Sequence, residues 1–497
     1  MKLARIASKD ENAVDAQSTS GDGPADRRKH VCVIGAGLTG LTVAYRLSLQ
    51  GYRVTVLEST MQPGGMVSSF TIGREKIEHI YHHIFTSDVY VTDLAKELGI
   101  DDSIKWYEPH DALYMDKKLY PFTSPVDLIR FRPIPFIERI RTGLAVLKAK
   151  KVDDITELEN MTAEEWLIRN SGQKAYDALW KPLLRSKFDN DASKVSAVWI
   201  WNKFKLRGNS RGKTAAREML GYMEGSFRGL IEALVRRITA NGGVIRYGYT
   251  VFGITRTGPV SGCDSTGSAA ASSLSDNPPE GPFRLTCMLE DCSSVGIDAD
   301  SVVATVSASR FAAMSGELGL PTEYVRRSAD IRYKGDLCMI LRLRRGLSPY
   351  YWTTVCDSLP FVVVVEHTNL TSLRKYGGHI VYLSRYLDIT DPLWLQSDSE
   401  IYKLFCKGLA EMYPGFSVSD VKDWRLTRTR YAQPVVGKNY SATMPDISTP
   451  QRGVFLAGMA QIYPEDRGMN YAIRLGNETA VRVADHLGPV VPGNDKG

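Results

Sequence analysis

The sequence predicts an α/β fold in which a βαβ unit opens a parallel sheet and a mixed α+β region is inserted. Residues 31–34 (VCVI) form a short apolar strand, followed by a glycine-rich turn and a helical pattern that ends at Gly51. The segment 52–58 (YRVTVLE) is a second strand, which completes a βαβ unit of the expected length. A helical pattern over 227–243 and a strand over 453–458 carry the α/β pattern into the C-terminal half.

Length and composition exclude several classes of protein. The chain has 497 residues, 43% of them hydrophobic and 24% charged, so a large core and more than one domain are expected. The net charge of +6 is small for this length, and no basic stripe with interleaved aromatic residues indicates nucleic-acid binding. The cysteines are scattered singly, which favours a reducing compartment, and no apolar run reaches membrane-span length. We therefore expect a cytoplasmic protein that does not bind nucleic acid. The sequence does not indicate its oligomeric state.

The turn after the first strand has the glycine spacing of a dinucleotide-binding loop. Gly35, Gly37 and Gly40 form a GxGxxG pattern between a strand and a helix, which is the context that the pattern needs. Gly35 allows the tight turn, Gly37 lets a pyrophosphate approach the backbone, and Gly40 lets the helix pack on the strand. Leu38 and Thr39 follow at the helix N-terminus, whose N–H groups stabilise phosphate charge. The loop predicts a Rossmann-type dinucleotide-binding domain.

Glu58, at the end of the second strand, narrows the choice of dinucleotide. A carboxylate at this place accepts hydrogen bonds from a ribose 2′-OH and repels a 2′-phosphate. The predicted ligand is therefore FAD or NAD rather than NADP. A second glycine pair, Gly64 and Gly65, follows shortly after the acidic residue and is followed by Met66.

These motifs resemble the FAD-dependent amine oxidoreductase and protoporphyrinogen oxidase-like superfamily, which includes flavin amine oxidases, phytoene desaturases and UDP-galactopyranose mutase. In that family an acidic residue followed by two glycines marks bound FAD, and Met66 stands where arginine or leucine is usual. The C-terminal segment GVFLAGMAQIYPEDRGMNYAIRLG is similar to the family's C-terminal flavin segment. Val251, in YTVFGI, matches the position whose backbone contacts adenine.

The resemblance implies non-covalent FAD and further contact residues. It places Gly458 near the pyrophosphate and Asp466 near the ribityl hydroxyls. Gly468, Met469 and Asn470 are implied to lie beside the pyrimidine end of the flavin. The physics agrees, because backbone N–H groups at a helix N-terminus stabilise the negative charge of a reduced flavin.

The resemblance also implies how the chain divides into domains. We expect a glutathione-reductase-like FAD-binding domain that is discontinuous, with an inserted mixed α+β substrate domain. The FAD-binding domain is predicted at 30–105, 206–310 and 426–490, and the substrate domain at 106–205, which is predicted to be helical, and 311–425. Residues 1–29 lack the apolar region of a secretory signal and are predicted to be a disordered tail. Residues 256–282 are rich in Gly, Ser and Pro and are predicted to be a loop insertion.

Three histidines, at 79, 82 and 83, lie in the segment EHIYHHIF (78–85). No flanking Cys or Asp pair completes a ligand set, so a metal site is not expected. In the resembled family, this segment lines the substrate side of the flavin. In an extended segment, His79 and His83 share one face and His82 points to the other. We expect His82 or His83 to be catalytic, as a proton carrier or an electrostatic partner of the ring; histidines held by backbone bonds are the alternative.

Two further segments are predicted to wall the substrate side. The first is FVVVVEHTN (361–369), an apolar strand that ends in Glu366 and His367, predicted as catalytic, and Asn369, predicted to contact substrate. A strand that simply emerges into solvent is the alternative.

The second is RTRYAQ (428–433), where Arg428, Arg430 and Tyr431 suit an anionic or phosphorylated substrate. A solvated charged strand face is the alternative.

The segment 128–151 combines an apolar helical stripe with positive charge. The apolar members are Phe136, Ile137, Ile140, Leu144 and Leu147, and the basic ones are Arg139, Arg141, Lys148, Lys150 and Lys151. A basic amphipathic helix can lie on an anionic membrane, which would make the protein peripheral to it. Packing of the stripe on neighbouring helices is the alternative.

The sequence thus predicts an FAD-dependent oxidoreductase that takes a hydride from a small organic substrate. An amine, an alcohol or a C–C unit to be desaturated would each suit this chemistry. The alternative is a non-redox flavoenzyme similar to UDP-galactopyranose mutase, in which arginines and tyrosines would bind a diphosphate. A flavin-binding protein without catalysis would leave the polar wall segments without a purpose.

Overall fold

A computed structural model describes residues 28–210, 218–257 and 282–490. The predicted tail (1–29) and loop insertion (256–282) therefore lie almost entirely outside the described residues.

The described strands and helices alternate in the N-terminal part and segregate in the middle. The strands are β1 (His30–Ile34), β2 (Arg53–Glu58), β3 (Ser69–Ile72), β4 (Glu75–Glu78), β5 (Ile84–Phe85), β6 (Ile104–Tyr107), β7 (Asp111–Met115), β8 (Lys118–Pro121), β9 (Leu220–Met223), β10 (Val244–Tyr247), β11 (Thr250–Arg256), β12 (Phe283–Met288), β13 (Ser294–Ala299), β14 (Ser301–Ala304), β15 (Tyr333–Leu343), β16 (Trp352–Val355), β17 (Val363–Glu366), β18 (His379–Leu387), β19 (Val421–Pro434) and β20 (Val454–Leu456). The α-helices are α1 (Leu38–Leu49), α2 (Val89–Leu98), α3 (Pro125–Arg130), α4 (Phe136–Ala149), α5 (Thr156–Glu159), α6 (Ala163–Ser171), α7 (Gln173–Ala175), α8 (Lys181–Phe188), α9 (Ala197–Ser210), α10 (Arg228–Ala240), α11 (Ala308–Met314), α12 (Thr322–Ala329), α13 (Leu373–Tyr376), α14 (Pro392–Leu395), α15 (Asp398–Met412), α16 (Tyr440–Thr443) and α17 (Met469–Leu487).

A parallel five-stranded sheet forms the core of the predicted nucleotide-binding domain. Its order is β10-β2-β1-β14-β20, and its strands come from the three stretches that the sequence assigned to that domain. All five residues of β1 are buried, because helices cover both faces of a parallel sheet and leave its central strand no exposed side. The α/β prediction is confirmed.

Helices α1 and α17 pack together at one face of this sheet. A Cβ on Gly476 of α17 would lie 2.7 Å from Cβ of Thr42 and 2.9 Å from the carbonyl oxygen of Thr39, both on α1. Glycine at this crossing therefore lets the two helix backbones approach each other. The contact joins the first and last helices of the described residues on one side of the sheet.

A seven-stranded sheet forms the second layer, in the order β19-β15-β18-β17-β16-β7-β8. Its strands are paired antiparallel except for β16 and β7, which run parallel. Strand β19 crosses the predicted domain boundary at 426, because its pairing with β15 in this sheet extends from Val421 to Pro434. The domain limits themselves stay a prediction.

The middle block differs in part from the prediction. Residues 106–121 were expected to be helical, yet they contain the end of β6 and all of β7 and β8. Among the helices that follow, α4, α5, α6, α8 and α9 share a core with several buried tryptophans and phenylalanines, among them Trp199, Trp201 and Phe188. In the described residues, no helix is long and apolar enough to cross a membrane.

Candidate functional site

A cavity of about 310 Å³ opens at the carboxyl ends of the parallel strands. Its wall includes Gly35 just after β1, Thr305 just after β14, and Leu38 and Thr39 at the start of α1. Open α/β sheets bind their ligands at this edge, because loops and helix N-termini converge there. This cavity is the candidate functional site.

The first glycine loop has the geometry that its sequence predicted. Gly35 has a φ of 104°, and a Cβ there would lie 2.8 Å from Oγ1 of Thr305. A Cβ on Gly40 would lie 2.0 Å from the carbonyl oxygen of Gly35, so the packing of α1 on the turn requires glycine. Gly37 has no heavy atom within 4 Å of the position that a Cβ would take, and it lines the cavity. The space in front of Gly37 is therefore open to a ligand.

The carboxylate of Glu58 is fixed at the edge of the cavity by protein donors. Its Oε2 accepts a hydrogen bond from the N–H of Ala36 at 2.8 Å. Its Oε1 accepts from the N–H and the hydroxyl of Thr60, both at 2.9 Å. Val251, on β11, lines the same cavity. Both residues predicted to contact adenosine therefore line the cavity.

The second glycine pair packs directly on the first loop. The N–H of Gly64 donates to the carbonyl of Ala36 at 2.8 Å, and a Cβ on Gly65 would lie 3.1 Å from Cα of Gly37. Gly64, Gly65 and Met66 all line the cavity. The two glycine motifs, which are separated in sequence, therefore form one wall.

The C-terminal flavin segment lies at the same cavity. Gly468 and Met469, at the start of α17, line it. Gly458 does not, but its neighbours Ala457 and Met459 do. A Cβ on Gly458 would lie 2.5 Å from the carbonyl oxygen of Val306, so the segment passes too close to that backbone for any other residue.

Two of the predicted contacts in this segment need correction, and the first is Asp466. Its carboxylate accepts hydrogen bonds from Trp199 at 3.2 Å, Lys203 at 2.8 Å and Gln433 at 3.2 Å, and it does not line the cavity. Burial alone would raise its pKa, but the nearby cations, first Lys203 and then Lys187, hold it well below its ordinary value. The next residue, Arg467, lines the cavity instead.

The second correction concerns Asn470, whose side chain points away from the cavity. Its Oδ1 accepts from the backbone N–H groups of Tyr90 at 2.8 Å and Val91 at 3.3 Å. These are N–H groups in the first turn of α2, which have no partner within their own helix. Asn470 therefore fastens α17 to α2.

Among the three clustered histidines, His82 is the one that lines the cavity. Its Nδ1 lies 2.7 Å from the carbonyl oxygen of Ile80, which can only accept, so Nδ1 carries the proton. Burial, with a further contribution from Arg467, lowers the pKa of His82 to about 4. The ring is neutral at pH 7, and its Nε2 is left as a hydrogen-bond acceptor.

His83 and His79 point elsewhere, on the opposite face that the extended pattern predicted. His83 lies 3.0 Å from the hydroxyl of Tyr351 through Nδ1 and contacts the ring of Trp352 edge-on. His79 lies 3.2 Å from Oγ1 of Thr427. The described residues hold no group of three His, Cys, Asp or Glu side chains that could bind a metal ion.

Glu366 and His367, predicted as catalytic, do not line the cavity. Glu366 accepts from the N–H of Leu347 at 2.9 Å and the hydroxyl of Ser348 at 2.7 Å, and burial raises its pKa to about 7. His367 lies 3.2 Å from the hydroxyl of Tyr376, and burial lowers its pKa to about 3. The geometry corrects this prediction, because the polar atoms of both side chains already bond to neighbouring loop residues or to Tyr376.

The four predicted substrate residues are dispersed. Asn369 donates to the carbonyls of Ser348 and Tyr350 at 2.9 and 2.8 Å, so it shapes a loop. Arg428 is paired with Asp398 and bonds backbone carbonyls nearby, and Arg430 is exposed.

Tyr431 alone of the four lines the cavity, where it meets the ring of Tyr333 edge-on.

The family is decided by comparison with known proteins. A profile described as "Flavin containing amine oxidoreductase" matches residues 38–484, which is most of the chain and includes the second glycine pair and the C-terminal segment. The chain belongs to the flavin-containing amine oxidoreductase family. The resemblance stated from the sequence is therefore confirmed, and FAD is the cofactor of this flavin-containing amine oxidoreductase.

Individual relatives are distant. Coproporphyrinogen III oxidase of Staphylococcus aureus is 25% identical over 257 residues, which span 45% of this chain and 54% of that protein. The chain thus aligns with about half the length of this curated relative. Among solved structures, cyclohexylamine oxidase from Brevibacterium oxydans has a TM-score of 0.67 at 15% identity, covering 93% of this chain and 99% of that one. Reduced UDP-galactopyranose mutase has a TM-score of 0.66 at 14% identity, covering 92% and 96%. Both structural likenesses show the fold.

The cavity of this flavin-containing amine oxidoreductase fits FAD on observations of its own. The open space before Gly37 lies at the N-terminus of α1, where phosphate charge is stabilised. Glu58 lies at one edge of the cavity, and the N-terminus of α17 lies in the same wall. Residue types and positions therefore match a dinucleotide with a flavin.

Sequence reasoning missed the charged groups near Arg467. Arg467 stands beside the predicted Asp466, but a loop has no fixed period that tells which of two neighbours faces a cavity. Tyr386, Asp336 and Lys187 come from β18, β15 and α8, and only the tertiary fold brings them near Arg467. No local pattern in the sequence marks them.

Proposed function

We propose that the chain is an FAD-dependent oxidoreductase that takes a hydride from a small organic substrate. The bond broken is a C–H bond beside nitrogen or oxygen, or one of a C–C unit that becomes desaturated. When bound, FAD accepts the hydride and passes the electrons on to oxygen, a quinone or another acceptor. The observation that carries the proposal is a single cavity that joins both glycine motifs, Glu58, His82 and the start of α17.

The residues proposed to hold FAD, without a covalent bond, line that cavity or support its wall. They are Gly35, Gly37, Leu38, Thr39, Gly40, Glu58, Gly64, Gly65, Met66, Val251, Gly458, Gly468 and Met469. Among them, Gly40 and Gly458 act by letting backbones approach, since a Cβ at either position would meet a carbonyl oxygen. Arg467 adds positive charge to the wall.

The wall also supplies groups that act on a substrate. Neutral His82 offers Nε2 as an acceptor that can orient an N–H or O–H group of the substrate or the flavin. Tyr431 and Tyr333 supply an aromatic surface at the same cavity. These groups bind and orient; with its low pKa, His82 is a weak base at neutral pH.

The cofactor part of the proposal is tested by a matched pair of glycine substitutions. Gly37→Ala adds a methyl group in open space, so the protein is expected to fold normally but to bind FAD at least about tenfold more weakly. Gly40→Ala drives a methyl group into the backbone of Gly35, so it is expected to lower the thermal midpoint as well. Titration of the apoprotein with FAD and a thermal melt give both quantities. Unchanged FAD affinity in Gly37→Ala would remove that glycine from the site.

The catalytic part is tested by anaerobic mixing of the yellow holoenzyme with panels of amines, alcohols and unsaturated lipids. Bleaching of the flavin absorbance by one class supports the oxidoreductase and names the substrate class. His82→Ala is expected to keep FAD and to slow bleaching about 100-fold because the substrate loses an orienting acceptor, whereas His83→Ala is expected to change it less. Turnover that occurs only after dithionite reduction, with no net electron transfer, would favour a mutase instead.

We further propose that the face of α3 and α4 contacts an anionic membrane. The apolar stripe is exposed rather than packed on neighbouring helices: Phe136 is 60% exposed, Ile137 71% and Leu147 58%. The buried side of α4 consists of small residues instead, Thr142, Ala145 and Ala149.

Exposed basic side chains flank the stripe, at Arg130, Arg132, Arg141, Lys148, Lys150 and Lys151. Apolar area with surrounding positive charge fits the surface of an anionic bilayer. The proposed location is cytoplasmic and peripheral to that surface, which the unpaired cysteines of the described residues support.

Vesicle sedimentation tests the membrane contact. The holoenzyme is expected to pellet with vesicles of phosphatidylglycerol at low salt, and to stay in solution with phosphatidylcholine or at high salt. Ile137→Gln is expected to weaken pelleting, while Leu395→Gln, at a 77% exposed leucine on α14, serves as the control. Absence of pelleting with phosphatidylglycerol at low salt would end the proposal.

A further inference from the structure

One face of helix α11 lies in the wall of the cavity. Ser307, Arg310 and Met314 all line the cavity. They are spaced three and four residues apart, so they share one side of the helix. Ser307 is the N-cap of α11, and its side-chain oxygen accepts a hydrogen bond from the N–H of Arg310 at 3.3 Å. Arg310 therefore belongs to the first turn of the helix and lies on the face that meets the cavity.

The loop that leads into α11 is held against the first glycine loop. The hydroxyl of Thr305 donates to the carbonyl oxygen of Ile34 at 2.8 Å and lies 3.3 Å from that of Gly35. The backbone N–H of Thr305 donates to the carbonyl of Ile34 as well, at 2.9 Å. Arg310 follows Thr305 by five residues. It therefore reaches the cavity beside the glycine loop that is proposed to hold the diphosphate of FAD.

The guanidinium of Arg310 is not committed to a protein partner. The backbone N–H of Arg310 bonds to Ser307, but within the described ranges its exposed side chain makes no hydrogen bond or ion pair. Arg326, on neighbouring α12, is paired with Glu323 at 2.8 Å and with Asp330 at 2.7 Å. An unpaired guanidinium in a cavity wall can donate all of its N–H groups to an anionic ligand.

The glycine loops themselves supply no positive side chain for a diphosphate. The lining residues between 34 and 67 include no lysine or arginine, and Glu58 among them is acidic. A helix N-terminus offers only about half of an elementary charge, whereas each phosphate of the diphosphate is negative. Arg467, also in the described wall, already donates to Gln433 and Tyr386. Arg310 is therefore the cation best placed to complete the neutralisation.

We propose that Arg310 binds the diphosphate of FAD, an assignment that rests on the proposed FAD site. Gly37 leaves room for the diphosphate at the backbone, and Arg310 supplies positive charge from the loop and helix that follow the adjacent strand. A guanidinium can donate two parallel hydrogen bonds to phosphate oxygens, which an ammonium group does not reproduce.

Titration of the full-length apoprotein with FAD tests the contact. Arg310→Met is expected to weaken FAD binding about tenfold, because one charge-assisted contact is lost. Arg310→Lys keeps the charge without the paired donors and should weaken binding about threefold. Arg326→Met removes the same charge from α12, outside the cavity lining, and should change the affinity less than about twofold. Thermal midpoints of the apoproteins should agree, since the side chain of Arg310 is exposed.

Two smaller ligands locate the contact within FAD, because ADP carries the diphosphate and adenosine does not. Arg310→Met is expected to weaken ADP binding by the same factor as FAD binding and to leave adenosine binding unchanged. Unchanged affinity for FAD and ADP would overturn the assignment, and so would an equal loss with adenosine or in Arg326→Met. These titrations contain no substrate. A flavin that no amine, alcohol or unsaturated lipid bleaches would therefore defeat the proposed oxidation and leave the role of Arg310 intact.

Discussion

Two aspartates close to Arg467, the buried Asp336 and the partly exposed Asp466, carry opposite shifts of pKa. Asp466, in the C-terminal segment, receives hydrogen bonds from Trp199, Lys203 and Gln433, and its pKa lies well below the ordinary value. Asp336, on β15, receives one bond from Ser384, and burial raises its pKa to about 6. Burial opposes ionisation at both sites, so the number of donors and close cations decides the outcome.

The opposite pKa shifts indicate a structural role for Asp466 and a role that can change with pH or ligand for Asp336. Asp466 is held between elements of both layers and is ionised at any physiological pH. Among the described residues, one side-chain oxygen of Asp336 has no hydrogen-bond partner, and its carboxyl titrates within reach of neutral pH. A residue that can still gain a hydrogen bond can respond to a ligand, whereas a fully paired one cannot. The following substitutions test this contrast.

Asp466→Asn is expected to have the largest effect on stability. It leaves Lys203, whose side chain is 29% exposed, without its counter-ion, and breaking this largely buried pair should lower the free energy of unfolding by about 3 kcal/mol. Asp153→Asn is the matched control, because Asp153 pairs with Lys205 at 3.8 Å while 93% exposed, and should cost under about 0.5 kcal/mol. Urea unfolding measures both. Equal losses of unfolding free energy would show that the Asp466–Lys203 pair contributes no more than an exposed surface pair.

Asp336→Asn is expected to change the pH dependence of stability. Between its ordinary pKa and the raised value near 6, the native carboxyl holds more protons than the unfolded one, so wild-type stability falls as pH rises. The variant lacks this loss and should gain about 2 kcal/mol relative to wild type between pH 4 and pH 7. Asp154→Asn is the control of opposite sign, since hydrogen bonds from Thr156 lower the pKa of Asp154. A parallel course of the Asp336→Asn and wild-type curves would contradict the raised pKa.

Tyr386→Phe is expected to have the smallest effect, a loss of about 1 kcal/mol in the free energy of unfolding. It removes one acceptor from Arg467, which stays bonded to Oε1 of Gln433 at 2.9 Å. Tyr90→Phe, at an exposed tyrosine on α2, is the control and should change stability by less than about 0.5 kcal/mol. If Tyr386→Phe lowered stability as much as Asp466→Asn, the contacts of Tyr386 and those of Asp466 would not contribute to stability independently.

The sequence predicted those parts of the site that depend on local backbone geometry. Gly35, Gly37, Gly40 and the second glycine pair lie at the cavity because a turn of fixed shape needs glycine at fixed spacing. Glu58 follows from the same reasoning, because the end of β2 lies directly beside the glycine turn and its last side chain reaches the edge of the cavity. Alternation along an extended segment likewise separated His82 from His83.

The errors arose where the deciding contact is distant in sequence. Glu366 ends an apolar strand as predicted, but a loop around Ser348 satisfies its carboxylate. Asn470 was assigned to the flavin, yet its amide oxygen meets the start of α2. The exposed stripe of α4 also could not be derived, because periodicity shows that a face is apolar and not what covers it.

The pairing register of strand β19 with β15 sets where Gln433 lies relative to the cofactor segment. The strand pairs with β15 at the edge of the large sheet, and Gln433, near its end, bonds both Asp466 and Arg467 beside the cofactor segment. A slip of two residues would keep every side chain on its own face of the sheet, yet it would move Gln433 by about 7 Å. The register of one strand therefore fixes the position of the seven-stranded sheet relative to the proposed cofactor segment. Exchange of the substrate domain between relatives would succeed only where this alignment is preserved.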